Sequence, residues 1–181
     1  MLGLRRIRTV LLGAALLATA ACGYTLREST PLPNVLGSLA IDAIDYDSPL
    51  VTDLQNELKA AGATLKPLNS VGASTLKIQS ETAERNVISL DDRAKVGEYE
   101  LNYRVVYAVD ASDGKALLHD TTIALSRVYS FDEQQAIGAS QEEEIIRAEL
   151  RRETVRMIME RLRRVQDPNR ASETRQSATA K

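Results

Sequence analysis

Two residues in this chain are chemically distinctive by being single: one thiol, Cys22, and one imidazole, His119. Cys22 directly follows Ala20-Ala21, and a thiol is the side chain that can form a thioether to a lipid. Upstream lie Arg5, Arg6 and Arg8, then an apolar run from Val10 to Ala21. A basic head, a short apolar body and small residues before a cut describe a bacterial export leader. The run is shorter than the roughly 20 apolar residues a spanning helix needs, so residues 1–21 read as a removable leader. His119 alone excludes a multi-histidine metal site within one chain. Asp120 and Ser126 are its sequence neighbours, but in a regular strand positions 119 and 120 point to opposite faces, which gives no Ser-His-Asp arrangement. No catalytic residue, metal or cofactor is expected.

The cut site resembles a bacterial lipobox, with Thr19 standing where such motifs most often carry Leu. Acylation of Cys22 would moor the chain firmly, since each buried methylene contributes about 0.8 kcal/mol and two or more chains make release slow. It would also leave no thiol for a disulfide, so stability must come from an apolar core. Gly23, rather than Asp, follows the cysteine and leans toward the outer membrane. The leader holds three Arg and no acid, which takes the net charge from −2 for the whole chain to −5 for the product. An acidic product argues against a general nucleic-acid binder.

The elements behind these residues follow from hydrophobic spacing. Residues 22–38 are expected to form the lipidated N-terminus and a tether, marked by Pro31, Pro33, Asn34 and Gly37. Residues 39–46 read as a strand with Leu39 and Ile41 on one face. Ser48-Pro49 starts a helix, because Ser48 can cap free amides and proline suits the first helical position. Leu50, Val51, Leu54, Leu58 and Ala61 form its stripe, and Gly62 offers the stop. From Ala73 the period becomes alternating, through Leu76 and Ile78 and again at Asn86 to Leu90, before a turn at Asp91-Asp92-Arg93. The strongest strand places Tyr99, Leu101, Tyr103, Val105, Tyr107 and Val109 on one face, with Glu98, Glu100, Asn102 and Arg104 on the other. The tyrosine stripe reads as core. Asp113-Gly114 suits a tight turn. A return strand over 116–131 would put Ile123, Leu125, Tyr129 and Phe131 inward, with His119 and Arg127.

Ser140 and Glu143 match a capping box for a long final helix, with Ile146, Leu150, Thr154, Met157, Ile158, Leu162 and Val165 as its buried stripe. Arg151, Arg152, Arg156, Arg163 and Arg164 read as a solvated face. Residues 167–181 are polar and patternless, and a disordered tail is expected there. The order is β-α-β-β-β-α. That predicts an α+β domain over 39–166, with two helices packed on one face of a four-stranded mixed β-sheet.

At this point the chain resembles the LPS-assembly lipoprotein LptE (RlpB) family. Cys22-Gly23-Tyr24-Thr25-Leu26-Arg27 is similar to the family's Cys-Gly-aromatic-x-Leu-Arg opening. A proline-bearing tether, Glu98-Tyr99 opening the longest strand, and a long charged closing helix add to it. The resemblance implies an outer-membrane lipoprotein on the periplasmic side, not an enzyme. Its partners would be the LptD β-barrel, which it plugs and helps assemble, and lipopolysaccharide, which it binds. Phosphates of that ligand need cations, and arginine can offer two hydrogen bonds to one phosphate. The candidates are Arg85, Arg93, Lys95, Arg104 and Arg127, with Arg93 and Lys95 at a turn where side chains can reach out. As ordinary surface charges they would pair with Asp91, Asp92 or Glu98. A lipoprotein that carries an amphiphile without a barrel is the alternative. An acyl-sized apolar pocket between helices and sheet would favour the carrier, and a filled core with a polar outer sheet would favour the plug.

Overall fold

A computed structural model of the protein describes residues 32–131 and 136–165. The leader, Cys22, the first part of the tether and the C-terminal tail lie outside the described residues. Strand β1 (Ser38–Ala43) leads to helix α1 (Pro49–Ala60), a two-residue strand β2 (Thr64–Leu65), three long strands β3 (Ser74–Leu90), β4 (Val96–Asp110) and β5 (Ala116–Ser130), and helix α2 (Ala136–Arg163). The sheet order is β2-β1-β3-β4-β5. β1 runs parallel to both β2 and β3, while β3, β4 and β5 form an antiparallel meander. The α+β layout with both helices and a mixed sheet agrees with expectation; the sheet has five strands rather than four. β2 is too short to carry an alternating pattern, and its pairing to β1 alone defines it.

Each element follows from local chemistry. Ser48 Oγ accepts from the Leu50 and Val51 amides, closing the start of α1 as its sequence predicts. Gly62 ends that region at φ +88°, a left-handed conformation glycine adopts without penalty. Leu50, Val51, Leu54 and Leu58 are buried against Leu39, Leu76 and Tyr107 in one continuous core. The alternation read from Ala73 through Leu76 and Ile78 and again at Asn86 to Leu90 belongs to a single strand. β3 is one strand of 17 residues with a register shift between Ile78 and Ser80. That bulge reverses the parity, so Leu76 and Ile78 face the helices below it while Glu81, Ala83 and Arg85 do so above it.

Three further expectations change. A register shift in β5 sets Leu118, not His119, opposite the inward Val109, and His119 is exposed. Ser140 is not the cap of the last helix, which begins a turn earlier at Ala136; the Glu143 carboxylate is drawn instead to the sheet by Tyr129 and Arg85. Met157 is partly exposed, and Val155 and Met159 are buried in its place. The end of the expected tether also belongs to the domain. Asn34–Leu36 forms a 3-10 turn, Leu36 is fully buried, and Ser74 Oγ donates to the Val35 carbonyl.

The consequence for function is a molecule with two ends. Val35, just before β1, lies against Ser74 at the start of β3. The β3–β4 turn lies at the far end of β3, about 55 Å away at 3.3 Å per residue. α1 covers only the lower sheet. The distal hairpins meet the first half of α2, where Glu143 reaches Arg85 and Tyr129.

Candidate functional site

The distal turn is built by Asp91. Its Oδ1 accepts from the backbone amides of Arg93 and Lys95, and its Oδ2 from the Arg93 guanidinium at 2.9 and 3.2 Å. The Lys95 and Arg93 amides hold the Asp91 carboxyl below the usual carboxylate range. Arg93 remains largely exposed despite this pairing. Val87, Ile88 and Leu90 are exposed next to it, so the tip combines cations with apolar side chains.

The five nominated cations do not converge. Arg93 and Lys95 are at the tip. Arg85 and Arg127 lie in one row on the helix face, either side of the buried Leu101. Arg104 is on the opposite face, between Thr82 and Ala124, and is exposed. Arg85 is already engaged: its Nη1 donates to Glu143 Oε2 at 2.9 Å and its guanidinium stacks 4.4 Å from the centre of the Tyr99 ring. Tyr99 in turn packs edge-on to Phe131 and tilted against Tyr129.

Glu143 is a junction that sequence spacing did not reveal. It accepts from Arg85, from the Tyr129 hydroxyl at 2.8 Å and from Arg147 Nη2 at 2.8 Å. Burial pushes its pKa up, but the three donors outweigh burial and hold it below its ordinary value. The same environment pushes Tyr129 up to about 12, through burial first and the Glu143 bond second.

A second polar junction lies where α1 begins. Glu81 accepts from Ser48 Oγ at 2.7 Å and from the Tyr103 hydroxyl at 2.5 Å. Burial, then the Glu81 carboxylate, raises the Tyr103 phenol far above its ordinary range. Arg151 Nε reaches Asp53 on α1 at 2.8 Å, so Arg151 ties the two helices rather than forming a solvated face. Ser48, Glu81, Tyr103 and Arg151, with Arg147, Ala83 and Ile78, line a cleft of about 470 Å³ beside β3. Asp45, Glu81, Arg147 and Arg151 place four charged residues on its walls, among apolar side chains such as Val51, Ile78 and Ala83.

The outer face of the upper sheet is polar. Rows across β3, β4 and β5 read Glu84–Asn102–Ser126 and Thr82–Arg104–Ala124. The described residues contain no group of three or more His, Cys, Asp or Glu able to hold a metal ion, and no helix among them is long and apolar enough to cross a membrane.

Comparison with known proteins agrees with this picture. The profile of the LptE family, described as lipopolysaccharide-assembly, matches residues 36–162. The LPS-assembly lipoprotein LptE of Photorhabdus laumondii is 29% identical over 157 residues, covering 87% of this chain and 85% of the relative. The protein of that name from Pectobacterium atrosepticum is 24% identical over 160 residues, with the same coverage of each. The crystal structure of rare lipoprotein B from Shewanella oneidensis superposes with a TM-score of 0.60 at 25% identity, covering 69% of this chain and 92% of that one. A solution structure of lipoprotein B from Nitrosomonas europaea gives 0.64 at 23% identity, over 78% and 90%. The match over most of the domain, together with the shared fold, has one reading: the chain belongs to the LptE lipopolysaccharide-assembly family of non-enzymatic lipoproteins.

Proposed function

We propose that this protein is anchored by acylated Cys22 to the periplasmic side of the outer membrane, where it plugs an LptD-type β-barrel, helps that barrel assemble and binds lipopolysaccharide directly. The observation that supports a plug over an amphiphile carrier is the filled interior. Leu39, Leu54, Leu58, Leu76, Leu101 and Ile158 all show 0% exposure between helices and sheet. That packed core leaves no room for an acyl chain without displacing side chains, and the cleft beside β3 carries the charges of Asp45, Glu81, Arg147 and Arg151 on its walls. The uncovered sheet face offers hydroxyls, amides and carboxylates, which suit the polar lumen of a barrel. Arg93 and Lys95 at the distal tip, beside Val87 and Leu90, suit a ligand with both phosphates and acyl chains.

The test is extraction of the lipidated protein from outer membrane in mild detergent, followed by size exclusion and identification of any companion. A plug should elute with a large β-barrel. Elution alone with extractable lipid would support the carrier instead, and an unmodified Cys22 thiol by mass analysis would remove the anchor.

A further inference from the structure

β1 pairs with β3 only from Ser74 to Ile78, then leaves the sheet toward α1. Above that point β3 has no strand on its outer side among the described residues, although its pairing to β4 continues without a slip from Ser80 to Val87. An open, regular edge presents a row of unpaired amides and carbonyls, which is a template for another strand. This edge is also unusually bare. Glu84 through Ile88 are exposed without interruption, and Val87 and Ile88 are about half exposed.

The cleft flanked by Arg147 and Arg151 opens against the same edge, beside Ser80, Glu81 and Ala83. Three of its four carboxylate oxygens are already engaged: both Glu81 oxygens take protein hydroxyls, and Asp45 Oδ1 takes the Asp47 amide. Its donors are less fully engaged. Arg151, which lines the cleft, engages Asp53 through Nε. Arg147 engages Glu143 through Nη2, and its Nε is buried without a hydrogen bond, the Glu144 carboxylate standing 3.8 Å off. A guanidinium carries five N–H donors, so an occupant that supplies acceptors satisfies what the protein itself does not.

We propose that β3 between Ser80 and Val87 receives an extended segment of a protein partner as an added strand in line with β1, with a carboxylate side chain of that segment set against Arg147 and Arg151. The backbone pairing supplies affinity and the carboxylate supplies selectivity, the division of labour of strand addition. The inference stands whichever protein provides the strand, and so does not depend on the barrel reading.

The probe is a pair of ten-residue synthetic peptides of alternating threonine and valine between terminal serines, identical except for Glu or Gln at the central cleft-facing position. Each is titrated into the mature protein and followed by NMR at the Ser80–Val87 amides and the Arg147 and Arg151 guanidinium signals. The Glu peptide should shift both sets and bind at least about threefold more tightly than the Gln peptide. Charge-assisted hydrogen bonds are roughly twice as strong as neutral ones, which sets that expectation. An Arg147→Gln/Arg151→Gln variant should bind the two equally. The comparison of two peptides on the native chain decides the matter even where that variant does not fold. Equal binding of Glu and Gln peptides, shifts confined to the β5 edge, or no shift at millimolar peptide would each overturn the inference.

Discussion

Glu143→Gln is the most informative single change, because one carboxylate fastens the start of α2 to the distal sheet. Its side chain is 15% exposed and accepts three hydrogen bonds, from Arg85, Tyr129 and Arg147. A hydrogen bond to a charged group contributes about 1.5–3 kcal/mol net when shielded from water. Arg85 is 47% exposed and Arg147 34%, so solvent screening reduces each of their shares toward the ~0–1 kcal/mol of surface pairs. Tyr129 is 5% exposed and keeps nearly its full share. Glutamine retains one acceptor oxygen but neither the charge nor the second acceptor. The expected loss is about 2 kcal/mol in urea unfolding at neutral pH, read by circular dichroism as a lower midpoint at unchanged slope. The sign of the pH dependence is also fixed. The folded-state pKa is below the ordinary 4.5, so this contribution is present above that value and lost as pH falls through the lowered one. The glutamine variant should therefore lose less stability than the native protein between about pH 5 and 3. A change under about 0.5 kcal/mol, or parallel acid profiles for the two proteins, would refute the assignment of Glu143 as a fastening.

Ser48→Ala should cost about 2 kcal/mol, since it removes both the α1 cap and a donor to Glu81; an unchanged urea midpoint would contradict this. Tyr107→Phe should be neutral or stabilise by up to about 1–2 kcal/mol, because the Tyr107 hydroxyl is buried without a partner, and a clear loss on thermal unfolding would show that the hydroxyl is engaged. In a high-pH NMR titration Tyr129 should ionise near about 12 and Tyr103 later still, both held up by burial and a carboxylate; ionisation of Tyr103 in the folded protein near the ordinary phenol range would count against the Glu81 contact. Replacing Arg93 and Lys95 by Glu should weaken lipopolysaccharide binding several-fold in a low-salt titration, and equal affinities would remove the tip as a binding site.

The helix cap at Ser48, the α1 stripe, the turns at Asp91 and Gly114 and the inward face of β4 were legible because each depends on neighbours within a few residues. The placement of His119, the bulge in β3 and the start of α2 were not. A bulge leaves the local pattern alternating on either side while shifting which residues face inward, so only the partner strand reveals it. Ser140 and Glu143 satisfied the spacing of a capping box, but Tyr129 and Arg85 claimed the carboxylate from across the fold.

By itself the sequence determined the helix and strand types, the closing charged helix and the family. Those features rest on local periodicity, on turn chemistry or on short motifs. The tertiary structure alone decided which cations share a surface, that Arg151 ties α1 to α2, and that β3, among the described residues, keeps an open edge beside a charged cleft. Such properties depend on strand register and on where β1 leaves the sheet, and those are set by the packing of residues distant along the chain.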